Sequence, residues 1–237
     1  MTDRPHMTDE SSLDAVRSRS SMEDIAKQGG PQVATPDEAI TALKRGNARF
    51  FSGQTTQQSL GVNERRALIM SQTPFAIVLG CSDSRVPTEM IFDQGFGDIF
   101  SIRLAGNVAS GAALGSVEYA VKHLKCRLLV VMGHEGCGAV KAAMLGDEVL
   151  AEEPENVRLL VERIRPALRG MPRIRDEKAR MREAVISNVR SQVALLRENP
   201  VVQRATQAGS LKVIGAFYEI GSGAVDFLIS DEDLAVE

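Results

Sequence analysis

His134-Glu135-Gly136-Cys137 sets an imidazole and a thiol three residues apart, and both groups are good zinc ligands. Within one helical turn that spacing puts two side chains on one face. A nearby helix N-terminus also favours the thiolate over the thiol. Cys81 is a third candidate, at the end of a separate apolar run. Two cysteines and one histidine leave the fourth position of a tetrahedral ion open, the mark of a catalytic zinc that can hold water and lower its pKa. An isolated His-Cys pair is more often structural, because cysteine is among the most buried residues. The polar, charged loop at Cys81 moves the balance toward a metal site. Cys126 opens a strand, has no neighbouring partner, and reads as a small buried residue.

Asp83 and Arg85 follow Cys81 in the segment Cys81-Ser82-Asp83-Ser84-Arg85. An arginine beside a carboxylate lowers its pKa and orients it, often through two parallel hydrogen bonds. An ionised aspartate beside an activated water accepts a hydrogen bond and admits only a protonated oxygen, or it swings onto the metal and closes the site. The bland alternative is a surface ion pair or an Asx turn flanked by serines; beside a metal cysteine that alternative loses weight.

These residues must be brought together by strand ends. Residues 75–79 form a short continuous apolar run, which suits a strand buried on both faces. Residues 99–104, 127–132 and 211–219 are further strands, and 224–229 pairs with the last of them through the turn Gly221-Ser222-Gly223. That Gly-Ser-Gly stretch lacks the lysine and serine or threonine of a phosphate loop and precedes a strand, so it reads as a hairpin turn. Between the strands, helices are predicted over 62–71, 112–124, from about 137, and through 156–205 with a break at Gly170-Met171-Pro172. Thr35-Pro36-Asp37-Glu38 is a helix start: the threonine caps, proline occupies the first turn and acids follow. Alternation of strands and helices implies an α/β fold: a mostly parallel central sheet of about four parallel strands plus an edge strand, flanked by helices, with an N-terminal helical arm. In such sheets ligands gather beyond the carboxyl ends of strands, where both metal segments lie. The expected organisation is a flexible N-terminal arm over 1–34, with a short helix near 13–25, and a single zinc-dependent catalytic domain over 35–237.

The 237 residues are 43% hydrophobic with a net charge of −3, enough for a core and without the basic excess of a nucleic-acid binder. The Arg-rich stretch over 158–190 is interspersed with acids and reads as a solvated helical face. No apolar run approaches the roughly 20 residues that span a bilayer. The acids near the N-terminus argue against an organelle transit peptide. An odd number of cysteines, two of them in a metal-like arrangement, points to a reducing, cytoplasmic location. His6 and His123 have no metal-like spacing and read as surface residues.

The Cys81-Ser82-Asp83-Ser84-Arg85 and Gly133-His134-Glu135-Gly136-Cys137-Gly138 segments, in this order, closely resemble the β-class carbonic anhydrases, and the resemblance extends over about 35–228. It implies one zinc ion per subunit held by Cys81, His134 and Cys137, and zinc-bound hydroxide attacking carbon dioxide to give bicarbonate and a proton. Asp83 and Arg85 match the family's orienting and gating dyad. Gln72 falls where plant-like members place a glutamine that bonds the substrate, Phe100 and Tyr119 where they place aromatic walls of the carbon dioxide pocket, and Gly138 where a backbone N–H points at the substrate. Arg103 with Gly106-Asn107 resembles the family's R-x-A-G-N strand end. The family implies a homodimer or higher even-numbered oligomer, with N-terminal helices wrapping the partner. Leu104 departs from the usual Asn or Val. Val78 stands where an allosterically regulated subgroup has tryptophan, so although Arg103 and Tyr218 match that subgroup, its bicarbonate site is incomplete and the open plant-like form is expected. Two other functions share the ligand set: hydrolysis of carbonyl sulfide or carbon disulfide, and a non-catalytic zinc scaffold, against which intact Asp83, Arg85 and Gln72 argue. A position within a carbon-concentrating compartment is compatible with the cytoplasmic reading.

Overall fold

The computed structural model describes residues 33–56, 62–69 and 72–229. The arm expected over 1–34, with its helix near 13–25, lies almost wholly outside them. The first described helix, α1 (Pro36–Phe51), starts as its sequence dictates. The Thr35 hydroxyl accepts the Glu38 N–H at 3.2 Å, and the Glu38 carboxylate accepts the N–H groups of Ala34 and Thr35. That reciprocal capping box satisfies donors the helix itself cannot.

After α2 (Val62–Ala67) come β1 (Ala76–Gly80), α3 (Thr88–Ile91), β2 (Ile99–Arg103), a 3-10 turn (Ala105–Asn107), α4 (Gly111–Tyr119) and β3 (Leu128–His134). The chain continues through α5 (Gly138–Ala143), α6 (Asp147–Ala151), α7 (Glu155–Ile164), α8 (Glu177–Glu198), α9 (Pro200–Gln207), β4 (Lys212–Tyr218) and β5 (Val225–Leu228). The strand order is β2-β1-β3-β4-β5. The first four strands are mutually parallel and β5 runs antiparallel to β4, the four-plus-edge sheet expected from sequence.

Several boundaries differ from the periodicity reading. The helix expected over 62–71 stops at Ala67, and that over 112–124 passes from α4 into a π-turn (Ala120–Leu124) ended by Lys125 at φ 57°. The region 156–205 holds three α-helices and a 3-10 turn over Arg165–Leu168. The break at Gly170 is real, and a second lies at Asn199-Pro200. Proline has no N–H with which to continue α8, while the Asn199 side chain accepts the Val201 and Val202 N–H groups and caps α9.

Every residue of β1 and β3 is buried, and their side chains alternate between two cores. Ile77, Leu79, Leu129 and Val131 point to the face covered by α4, α5, α7 and α8. Ala76, Val78, Leu128, Val130 and Met132 point to the face covered by α1 and α3. Helices on both faces explain why these strands read as unbroken apolar runs rather than alternating ones. Helix α8 lies directly on β3 and β4. A Cβ at Gly133 would stand 2.5 Å from Cγ1 of Val185 and 2.7 Å from Cγ2 of Val189, so only glycine allows that approach.

Candidate metal centre

Leu79 of β1 pairs with Val131 of the adjacent parallel β3, so the chain leaves both strands at the same edge of the sheet. Cys81 follows β1 directly and His134 is the last residue of β3. Cys137 caps the N-terminus of α5 after a turn in which Gly136 has φ 66°. The convergence of His134 and Cys137 is therefore not that of one helical face, as their spacing suggested. A left-handed residue folds the thiol back toward the strand end. The ligand atoms of Cys81, His134 and Cys137 lie within 4.8 Å of one another and all three residues are buried.

The donor set fits zinc. Nδ1 of His134 lies 2.9 Å from the Glu135 carbonyl; a carbonyl only accepts, so Nδ1 carries the proton and Nε2 keeps its lone pair. That Nε2 is buried and bonds no protein group among the described residues, an orphan that coordination satisfies. The Cys137 thiol, together with the backbone of Asp83 and Gly106, holds Cys81 well below the usual thiol range against the opposing pull of burial. Cys137 is pushed up by its bond to Cys81 and by burial, while the N–H groups of Val140 and Ala139 at the start of α5 act in the opposite direction. Cys126 behaves otherwise: burial pushes it up to about 12.

Asp83 and Arg85 form the bidentate pair anticipated from sequence. Arg85 Nε donates to Asp83 Oδ1 at 2.9 Å and its terminal nitrogen to Oδ2 at 2.8 Å, and the Arg85 backbone N–H donates to Oδ1. These bonds hold the Asp83 carboxyl well below the usual carboxylate range. Oδ2 is 4.0 Å from Nε2 of His134, which places the pair beside the metal ligands.

Two backbone-directed contacts have no signature in residue spacing. Arg103, the last residue of β2, donates through Nε to the Cys81 carbonyl at 3.0 Å and through a terminal nitrogen to the Asp83 carbonyl, clamping the loop on both sides of Ser82. The Gly106 N–H donates to Sγ of Cys81 at 3.4 Å. Tyr218, the cross-strand partner of His134, is buried, as is Val78. Glu135 turns away from the metal ligands, accepting the Gly221 N–H at 3.2 Å and facing Lys178 at 3.4 Å.

The other anticipated residues are placed less directly. Gln72 is exposed in the segment before β1, and Gly138 is exposed as the first residue of α5. Phe100 and Tyr119 pack together with ring centroids 6.3 Å apart, and Tyr119 also stacks on His123 at 5.2 Å. Among the described residues no hydrogen bond or ring contact joins Gln72, Phe100 or Tyr119 to the three metal ligands. His123 is exposed, as expected, and His6 lies outside the described residues.

A doubly covered parallel sheet with a Cys-His-Cys cluster at its carboxyl edge defines an α/β metalloprotein of the zinc type. The family model described as "Carbonic anhydrase" matches residues 76–225. A carbonic anhydrase of Mycolicibacterium smegmatis is 41% identical over 201 residues, 81% of this chain and 93% of that one. Carbonic anhydrase 2 of Mycobacterium tuberculosis is 42% identical over 191 residues, covering 79% and 90%. Among solved structures, a tetrameric β-carbonic anhydrase of Sordaria macrospora superposes with a TM-score of 0.67 at 27% identity, covering 82% of this chain and 98% of that one. This chain belongs to the carbonic anhydrase family, in its β class.

Proposed function

We propose that the protein catalyses the zinc-dependent, reversible hydration of carbon dioxide to bicarbonate and a proton. The observation that carries this reading is the buried Cys81–His134–Cys137 cluster with the Asp83–Arg85 pair beside it. Zinc held by those three residues supplies a Lewis acid that acidifies water. Two thiolates neutralise the ion's charge, so the surrounding residues must contribute more of the tuning than at an all-histidine site.

Asp83, kept ionised by Arg85, is acceptor-only. It orients a proton-bearing oxygen and offers nothing to a deprotonated one, which selects the direction from which the reacting oxygen approaches. The Gly138 N–H, in the first turn of α5 where helix donors have no partner within the helix, and the Gln72 amide bind substrate oxygen. Phe100 and Tyr119 supply apolar wall for carbon dioxide. The bidentate engagement of Asp83 with Arg85 supports the open, plant-like form, and Arg103 is committed to backbone carbonyls of the loop rather than to an anion site.

Residues 35–237 act as one catalytic domain, in a homodimer or higher even-numbered assembly. Among the described residues the outer edge of β2 has no strand neighbour, and Met90, Phe96 and Tyr119 are exposed in or near the segments around it; an open edge with exposed large apolar side chains calls for a partner surface. The buried free thiols support a reducing, cytoplasmic location; among the described residues no helix is long and apolar enough to cross a membrane.

The test is a stopped-flow carbon dioxide hydration assay on protein of known zinc content, with Cys81→Ser as control. Turnover that tracks zinc and is lost in the variant is expected. Full zinc loading without hydration would overturn the reading, and turnover of carbonyl sulfide or carbon disulfide in its place would reassign the substrate. Light scattering of Met90→Lys/Phe96→Lys, expected to be monomeric, tests the assembly; an unchanged oligomer removes that surface from it.

A further inference from the structure

Helix α8 turns a stripe that includes Val185, Val189 and Val193 into the core, and two amides lie within it. Asn188 is 0% exposed and Gln192 3%. Buried amides persist where they bond something specific. Nδ2 of Asn188 donates to the Gly106 carbonyl at 2.9 Å, Oε1 of Gln192 accepts the Ala109 N–H at 2.9 Å, and Nε2 of Gln192 donates to Oδ1 of Asn188 at 3.3 Å. The helix therefore grips the turn after β2 at two backbone points, one on each side of Asn107.

That turn carries the N–H that reaches Sγ of Cys81 at 3.4 Å. Gly106 has φ 67°, and a Cβ there would stand 2.6 Å from Cδ1 of Ile164 and 3.1 Å from the Ala139 Cβ. The turn is close-packed on one side and pinned by amides on the other, so the aim of its N–H is fixed by α8.

We propose that Asn188 and Gln192 are positioning residues of the zinc centre: through Gly106 they hold an N–H···S bond on Cys81 that stabilises it as a thiolate ligand and limits how strongly its sulfur donates to the metal. A hydrogen bond to a ligand sulfur withdraws charge from it; without that bond the sulfur donates more strongly and its position is less defined. Partners of metal ligands have this kind of influence on affinity and electronics.

The inference rests on the zinc reading above, and the two fail differently. The experiment compares wild type, Asn188→Ala and Leu196→Ala by chelator competition for zinc and by the sulfur-to-metal charge-transfer band of the cobalt-substituted protein. Leu196 is fully buried in the same helix and makes no contact with the turn through an amide, so its truncation controls for general loosening of the core. Asn188→Ala is expected to weaken zinc binding about 10- to 100-fold and to move the band to lower energy, with Leu196→Ala leaving the band in place. Should Asn188→Ala give no soluble protein, Gln192→Leu, which removes the oxygen that accepts the Ala109 N–H, carries the same expectation. Unchanged affinity and band in the amide variants, or the same change in Leu196→Ala, overturns the proposal while leaving wild-type zinc binding intact; absence of zinc binding by wild type overturns the zinc reading itself.

Discussion

Oδ2 of Asp83 stands 4.0 Å from Nε2 of His134, and the carboxylate is kept there by two bonds from Arg85. The same carboxylate, released, is close enough to become a ligand. Arg85→Ala should therefore let Asp83 rotate onto the metal and lower kcat about 10- to 100-fold. X-ray absorption on the zinc-loaded variant should show an added carboxylate oxygen, and Arg85→Lys should restore part of the activity because a lysine keeps the charge without the bidentate fork. A variant with full activity and an unchanged zinc spectrum would remove the gate from the mechanism.

The depressed Asp83 carboxyl also fixes a sign for acid stability. Its folded pKa lies below the ordinary value of about 3.9, so its contribution is fully present above that value and is lost as pH falls through the lower, folded one. Denaturant melts of metal-free wild type and Asp83→Asn should differ most near neutrality and converge as pH drops below about 4. Curves that diverge on acidification would contradict the assigned direction.

Cys126 should be chemically silent where Cys81 is not. Burial pushes Cys126 up to about 12, while Cys81 is held low, and the thiolate is the reactive form. In metal-free protein at pH 8, mass-spectrometric mapping after iodoacetamide should find the label on Cys81 ahead of Cys126, with zinc suppressing it. Equal labelling of both would show that access, not ionisation, controls the order.

Gly133→Ala should destabilise the fold by about 1–3 kcal/mol through overpacking, because its Cβ would meet Val185 and Val189. Thermal unfolding measures the loss. Since Gly133 precedes His134, zinc affinity should fall with it, and a Val185→Ala second change should recover part of both.

Arg103→Met removes both donors to the zinc loop while keeping the length of the stem. The expected result is weaker zinc binding, by about 10-fold, with a smaller effect on the melting temperature than Gly133→Ala produces. A chelator titration that shows wild-type affinity would reduce Arg103 to a packing role.

Much of this was readable from residue types. The unbroken apolar runs at Ala76–Gly80 and Leu128–His134 specify strands covered on both faces, and Cys81 and His134 at their ends specify a shared edge. The capping sequence at Thr35 fixed where α1 begins. What periodicity could not supply was backbone geometry. The left-handed Gly136 that returns Cys137 toward His134 has no signature beyond being glycine, and bonds such as Gly106 to Cys81 involve main-chain groups that every residue has. Asn188 and Gln192 did leave a trace: two amides at i and i+4 on an otherwise apolar stripe, a pattern that marks buried polar work. Periodicity alone hides the end of α8, because the helical apolar pattern runs on through Asn199-Pro200 although proline there removes a needed donor.

Because Cys81 directly follows β1 and His134 ends its neighbour β3, an ion shared between them rivets two adjacent strands of the sheet at one end only. Bound metal stabilises whatever arrangement it prefers in proportion to the logarithm of its concentration over its dissociation constant. Amides flanking that edge should exchange with deuterium faster when the ion is stripped, while those at the opposite edge, near Ala76 and Leu128, keep their wild-type protection. Depletion of the metal thus frays the mouth of the reaction chamber first and leaves the rest of the scaffold standing, ready to be reloaded.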